Sequence, residues 1–516
     1  MNARQIVSGL GWSALATAVS AVCQLGFMAV LARLLDPGAF GLMALAVLAL
    51  RCASFFAQIG SAQALVQKPR LDAQDTTAAL LLALAIGSAL YGAMALAAPL
   101  LASAFEAPEL SALVRVLGAS LLLNTLGGLP LALLRREAQF KRVGAIEVTS
   151  FVLGYGGVGI AAAWFGFGVW ALVAATLSQQ ALTLVLGFAL VRYPLAWPVS
   201  TRAVQGLWAY GAGYSLVGFL EFLSANVDSM FIGRAFGKLE LGLFNRAAML
   251  ANLPVELGVS AVNKVLFPAL SGMQGDAKRI ADGFLLLLLG IGLFSSAMAC
   301  AVAVAAADLV ALLLGPNWLG IAPLVSVLAL AVPPLFMYVA CGVTLDSIAA
   351  LRPKLKLQAL VLLLKVGLIG LIAVIFSTRA SGSAAFAGQA LIAVAVVVVL
   401  CEALRLALGL RLVVQLLAMD AARLWPLLGV FVATGAVVAL GVALSAAAGD
   451  AAKLPLVARV LLELLVGAGL WLGVLALLAL RFSGYAPLQR FEPLRRGLLQ
   501  LRAQLRRALH CQEQPA

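Results

Sequence analysis

Apolar runs of roughly 20 residues recur from one end of this chain to the other, and that length matches a helix crossing a bilayer core about 30 Å thick. In hydrocarbon every backbone polar group must be bonded within the protein, so a spanning segment is a helix or a strand of a closed barrel. Barrel strands alternate polar and apolar side chains. These runs are continuously apolar, so helices are expected. Of the 516 residues, 64% are hydrophobic and 11% are charged, whereas a soluble domain carries about 25% charged residues.

Breaks at charged residues, Pro, Gly and Asn place about fourteen spans. They lie near 8–32, 39–63, 77–101, 110–134, 144–164, 168–191, 206–232, 241–268, 283–307, 319–344, 357–377, 384–408, 424–447 and 455–480. The first run is longer than a signal-peptide core and ends in no small-residue cleavage site, so it is read as a retained span. Cys23, Cys52, Cys300, Cys341 and Cys401 fall inside apolar runs, Cys511 lies in the tail, and no C-x-x-C pair occurs. Buried small hydrophobes are expected rather than a metal site or disulfide frame.

A short polar turn appears twice. Leu31–Leu42 reads L-A-R-L-L-D-P-G-A-F-G-L, and Ile232–Leu243 reads I-G-R-A-F-G-K-L-E-L-G-L. Arg33 falls on Arg234, Gly41 on Gly242 and Leu42 on Leu243. Further along, Leu113-Val114 and Val116-Leu117 match Leu324-Val325 and Val327-Leu328. The matches sit in register with the span count and indicate duplication. The fold class expected is an all-α polytopic membrane protein with two six-helix lobes related by internal repeat and two appended helices. The lobes take 1–200 and 201–410, spans thirteen and fourteen take 411–482, and 483–516 is a basic tail.

With the N-terminus inside, 25 of the 35 Lys and Arg residues fall in inside segments and seven outside, while Arg51, Arg115 and Lys365 lie within spans. That bias puts both termini in the cytoplasm. It also accounts for the net charge of +14 without nucleic acid. In the tail, Leu494, Leu498, Leu501, Leu505 and Leu509 recur at helical spacing among five arginines, the pattern of a helix lying on an anionic leaflet.

No enzyme kit is legible. The single histidine is His510, in the tail, so a Ser-His triad or His-based metal site is excluded, and no P-loop occurs. Many spans with internal duplication and no catalytic set describe a carrier. Ionisable groups in lipid cost several kcal/mol and face a cavity, a partner or the headgroups. Glu221 and Asp228 lie seven residues apart on one face of the seventh span, with Asn226 nearby. They line a polar cavity or bond a neighbouring helix. Arg51 lies mid-span in the second helix and either shares that cavity or pairs with Glu221 or Asp228 for packing. Arg51, Arg234 and Lys365 together make an anionic substrate such as a lipid diphosphate tenable. Arg33 and Arg234 either cap the preceding helix C-termini or gate the lobe tips.

Several motifs in order carry a family resemblance. They are Leu31–Pro37 with Phe40-Gly41-Leu42, Ala64–Gln67, Asn124 through Pro130 to Arg135-Arg136, Gly166–Val173, Asn226-x-Asp228, Leu241–Ala247, Val265–Ser271 and Leu314–Trp318. The chain resembles the Wzx-type polysaccharide flippases of the MOP superfamily, especially the colanic-acid-exporter-like branch, from about residue 5 to about residue 410. The resemblance implies a bacterial inner-membrane carrier with two lobes around a V-shaped cavity. Its substrate would be undecaprenyl-diphosphate-linked oligosaccharide, flipped by alternating access to feed surface polysaccharide. No cofactor is implied; the coupling ion, H+ or Na+, stays open, and a polysaccharide polymerase with its chain-length machinery is the partner class. Two alternatives are a cation-coupled multidrug exporter of the same superfamily and, from another class, a membrane glycosyltransferase or polymerase.

Overall fold

The computed structural model describes residues 3–57, 72–137, 139–191, 196, 222–224, 226–252, 277–348, 350–378 and 384–481. Within them the chain is helical, with eleven helices long and apolar enough to cross a membrane. These fall close to the apolar runs at positions 2 to 6 and 9 to 14 in the expected order. The first expected span lies in a 32-residue helix, Ala3–Leu34. The expected spans near 206–232 and 241–268 fall largely outside the described residues, as do Glu221 and the basic tail.

Contacts divide the chain into two compact units. The first comprises Met1–Arg246, Leu313–Gly315 and Gly370–Leu391. Its helices are α1 (Ala3–Leu34), α2 (Pro37–Ala57), α3 (Ala73–Ala104), α4 (Glu109–Leu117) and α5 (Ala119–Arg136). They continue with α6 (Phe140–Phe151), a π-helical stretch Val152–Gly159, α7 (Ile160–Trp164) and α8 (Val169–Leu190). α1 packs on α6 and α7, α3 on α4 and α5, and α5 on α8. Small residues permit these approaches. A Cβ at Gly187 would meet Pro130 Cγ at 2.7 Å, and one at Gly154 would meet Gln179 Cα at 2.8 Å.

The two copies of the turn meet in this unit. Pro37 opens α2, where its fixed φ suits the first helical position and its missing N–H costs nothing. Gly41 lies one turn later. A Cβ there would stand 1.6 Å from the Lys238 carbonyl oxygen, and one at Gly242 would stand 2.3 Å from the Pro37 carbonyl oxygen. The repeated glycines therefore let backbone cross backbone. Phe40 is buried beside the crossing, with the Arg246 guanidinium 4.4 Å above its ring. Arg234 pairs with Glu106 at 2.9 Å and Lys238 with Glu109 at 2.7 Å, both across to the α3–α4 turn. All four side chains are mostly solvent-facing, so each pair contributes about 0.5 kcal/mol. A Glu106→Gln change is accordingly expected to alter thermal stability of the purified protein by under about 0.5 kcal/mol; a several-degree loss in a melting curve would show the pair to matter more.

The second unit comprises Ala247–Leu312, Pro316–Ile369 and the chain from Ile392. It holds α9 (Ala277–Val304), α10 (Ala306–Leu313) but for Leu313, α11 (Ala322–Ala329), α12 (Val332–Ser347), α15 (Trp425–Ala451) and α16 (Leu456–Arg481), with α13 (Leu351–Thr378) up to Ile369 and α14 (Ala384–Leu416) from Ile392. α9 is its axis, packed by α11, α12, α15 and α16. Phe284 and Trp318 are among its fully buried side chains. Gly292 accepts the Phe431 ring, and Gly435 accepts Cys300. The five described cysteines are all free.

Candidate functional site

A cleft of about 470 Å³ opens among α1, α5, α6 and α8 of the first unit. Its polar groups are Ser20 and Gln24 from α1, Asn124 from α5, Glu147 from α6, and Gln179, Gln180 and Thr183 from α8. Gly127 and Gly128 line the α5 wall, and Gly127 packs against Leu184 of α8. A hydroxyl or amide facing hydrocarbon would cost a few kcal/mol. Four helices turning such groups toward one cleft satisfies that constraint and builds a hydrogen-bonding surface.

Local structure fixes several of these groups. Thr183 donates to the Gln179 carbonyl at 2.9 Å. Glu147 accepts from Arg135 at 2.8 Å, an ion pair that neutralises the cleft's one carboxylate. No donor reaches the buried Gln180 Oε1. Phe151 forms the aromatic wall, 5.7 Å from the Phe27 ring and 5.1 Å from the Tyr155 ring. Tyr155 shares a 3.0 Å hydrogen bond with Thr176 of α8. The π-helical stretch starts immediately after Phe151. Such wide turns rotate the flanking side chains relative to a regular helix and recur at functional sites.

The residues singled out by charge lie elsewhere. Arg51 is exposed on α2, its carbonyl accepting from Ser54 at 2.7 Å. Asn226 donates to its own helix at Phe222, 2.9 Å away. Asp228 is buried and accepts from the Ser229 amide at 3.0 Å, while Ser229 Oγ donates to Asn245 at 3.2 Å. Lys365 is buried in the second unit, on α13 near Cys401. Glu221 falls outside the described residues. Arg33 lies in the last turn of α1, close to Gly315, and Arg234 is held by Glu106. None of the described ones lines the cleft. The signal that points to the cleft in sequence is the uncharged pair Gln179-Gln180 inside an apolar run, with Gln24 and Asn124 in two others.

A second pocket of about 450 Å³ is almost wholly apolar. Leu48 and Cys52 of α2, Leu90, Met94 and Leu101 of α3, and Met230 contribute to it.

Helices of this number and length define a polytopic membrane protein. Its fold matches the lipid II flippase MurJ in an inward closed conformation, with a TM-score of 0.67 and 12% identity over 89% of this chain and 97% of that one. It also matches an inward-facing multidrug resistance MATE transporter of the MOP superfamily, with a TM-score of 0.57 and 17% identity over 77% and 94%. The chain belongs to the polysaccharide biosynthesis protein family, whose pattern covers residues 30–323. Among curated relatives it is 24% identical over 323 residues to the lipopolysaccharide biosynthesis protein WzxC of Escherichia coli, covering 62% of this chain and 66% of the relative. It is 26% identical over 333 residues to the succinoglycan biosynthesis transport protein ExoT of Rhizobium meliloti, covering 64% and 67%. It is 25% identical over 332 residues to the teichuronic acid biosynthesis protein TuaB of Bacillus subtilis, covering 63% and 68%. The alignments thus span about two thirds of each relative.

Proposed function

We propose that this protein flips lipid-linked oligosaccharide repeat units across the bacterial inner membrane, supplying assembly of a surface polysaccharide. The observation that carries this is the cleft. Amides and hydroxyls around an aromatic wall are the groups that recognise sugar hydroxyls, by hydrogen bonding and stacking. Membership in the polysaccharide biosynthesis family supports the same reading. So do the transport name of the ExoT relative and the fold shared with a lipid II flippase. The apolar pocket on α2 and α3 offers hydrocarbon-lined space for the substrate's lipid chain.

The excess of Lys and Arg in alternate connecting segments supports cytoplasmic termini and an outer position for the two similar turns. Arg51, Asn226, Asp228, Glu221 and Lys365 remain proposed contacts for the diphosphate or its path. Arg33 and Arg234 are proposed to hold the outer ends of the helices, with Glu106 as the partner that Arg234 must release on opening. A polymerase with chain-length machinery would receive the product outside.

The multidrug reading shares the fold. It needs a site that selects organic cations, and the one carboxylate in this cleft is already paired to Arg135. Removing the gene is expected to stop one surface polysaccharide and leave lipid-linked repeat units on the cytoplasmic face, read by glycolipid extraction. Unchanged polymer together with altered sensitivity to cationic dyes would reject the flippase reading.

A further inference from the structure

A second polar cluster lies in the other unit, on the helix pair appended after the duplicated part. Asp308 sits in the first turn of α10, just beyond α9. Asp450 lies in the last turn of α15, and α16 carries Arg459 and Glu463. Four residues apart, those two share one face of α16. The Arg459 guanidinium joins Asp308 through Nη2 and Asp450 through Nη1. The Glu463 carboxyl faces both Arg459 and Asp308. Two carboxylates therefore share one guanidinium, with a third carboxyl nearby.

Exposure falls steadily through the cluster. The side chain of Asp450 is 67% exposed, Arg459 22% and Asp308 13%, whereas Glu463 is 2% exposed as a residue. No hydrogen-bond donor reaches either oxygen of Glu463. One turn further along α16, Gly467 lies against Val442 and Val438 of α15 and Ala301 of α9. An ionised carboxylate buried there without donors costs several kcal/mol. Two adjacent carboxyls that share a site cannot both ionise cheaply. A single proton between them removes both penalties.

We propose that Glu463 and Asp308 form a proton-binding site, filled from solution past Asp450, whose occupancy sets how α16 packs on α9. On filling, the Glu463 carboxylate takes one proton from water; on emptying, it returns that proton, and no other bond changes. The unprotonated carboxylate needs donors that its present surroundings do not supply, so losing the proton favours movement of α16 toward water. That this proton is spent on transport rests on the flippase reading. The charge bias puts this end of α9, α15 and α16 outside, where protons are supplied by an inward-directed gradient.

Infrared spectroscopy of the full-length protein in lipid bilayers, titrated from acid to alkaline solution, tests the site directly. The wild-type carboxylic-acid C=O stretch is expected to hold a component that Glu463→Gln removes and Asp308→Asn shifts. Superimposable spectra for wild type and Glu463→Gln at every pH would overturn the site. Glu463→Gln keeps size and neutrality, so it is expected to reach the membrane at wild-type level. In cells lacking the native gene it should lower polysaccharide export at least about tenfold, a coupling loss of about 1.4 kcal/mol or more. Loss of the infrared component with full export would keep the site and overturn its link to transport. If wild type itself fails to restore export, the flippase reading fails, and the spectra still decide whether the proton site exists.

Discussion

Gly41→Ala is expected to abolish polysaccharide export and to lower the melting temperature of the purified protein, although alanine is the better helix former. In an exposed helix interior the exchange would gain about 1 kcal/mol. At this position the added methyl would stand 1.6 Å from the Lys238 carbonyl oxygen and 2.6 Å from its carbon. Ordinary C···O contacts are about 3.3 Å or longer, so the crossing helices must part by well over an ångström. Both neighbours are backbone and cannot rotate away. Overpacking of this kind costs about 1–3 kcal/mol, occasionally more, and here packing outweighs propensity. Gly242→Ala should behave alike, because its methyl would stand 2.3 Å from the Pro37 carbonyl oxygen. Gly38→Ala, in the same turn of α2, meets nothing within 4 Å and is the matched control. Wild-type export from Gly41→Ala, or equal damage from Gly38→Ala, would remove the crossing from the mechanism.

Gln180→Leu is expected to cut export while leaving stability equal or higher, and that opposition is the mark of a binding residue. No donor reaches Gln180 Oε1, and an unsatisfied buried acceptor costs about 1–3 kcal/mol. Leucine of similar volume relieves that cost. It also removes an acceptor from a cleft whose proposed ligand is rich in hydroxyl donors. One such hydrogen bond contributes about 1 kcal/mol, so the single change should lower export several-fold. Gln180→Leu with Asn124→Leu should lower it by more than tenfold, since the two act from α8 and α5 on one cleft. Export in complemented cells, membrane protein level and melting temperature are the three readings. Parallel loss of export and stability would instead mark Gln180 as a packing residue.

Much of this architecture is legible in the residue order. Val169–Leu190 and Leu456–Leu478 announce themselves as spans because bilayer thickness sets a length, and length is counted along one stretch of chain. The two similar turns are legible at Gly41 and Gly242, and the fold puts both glycines at a backbone crossing that accepts no side chain. The site is less legible. A search for charges in lipid finds Arg51, which the fold leaves exposed, and passes over Gln24, Asn124, Gln179 and Gln180, which carry no charge. Glu463 also stands inside an apolar run, yet nothing in the sequence pairs it with Asp308, 155 positions earlier.

By itself, then, the sequence determined that this protein is a helical, polytopic membrane protein, and it raised the expectations of a repeated glycine turn and of cytoplasmic termini. Each of those follows from local quantities: run length, spacing and charge between neighbouring breaks. Only the tertiary structure decided which polar groups meet. The cleft draws between one and three polar side chains from each of four helices, and the acidic cluster draws from α10, α15 and α16. Convergence depends on helix rotation and on close approaches such as Gly187 against Pro130. Those are set by packing between segments distant in sequence, where an isolated span carries no record of its partner.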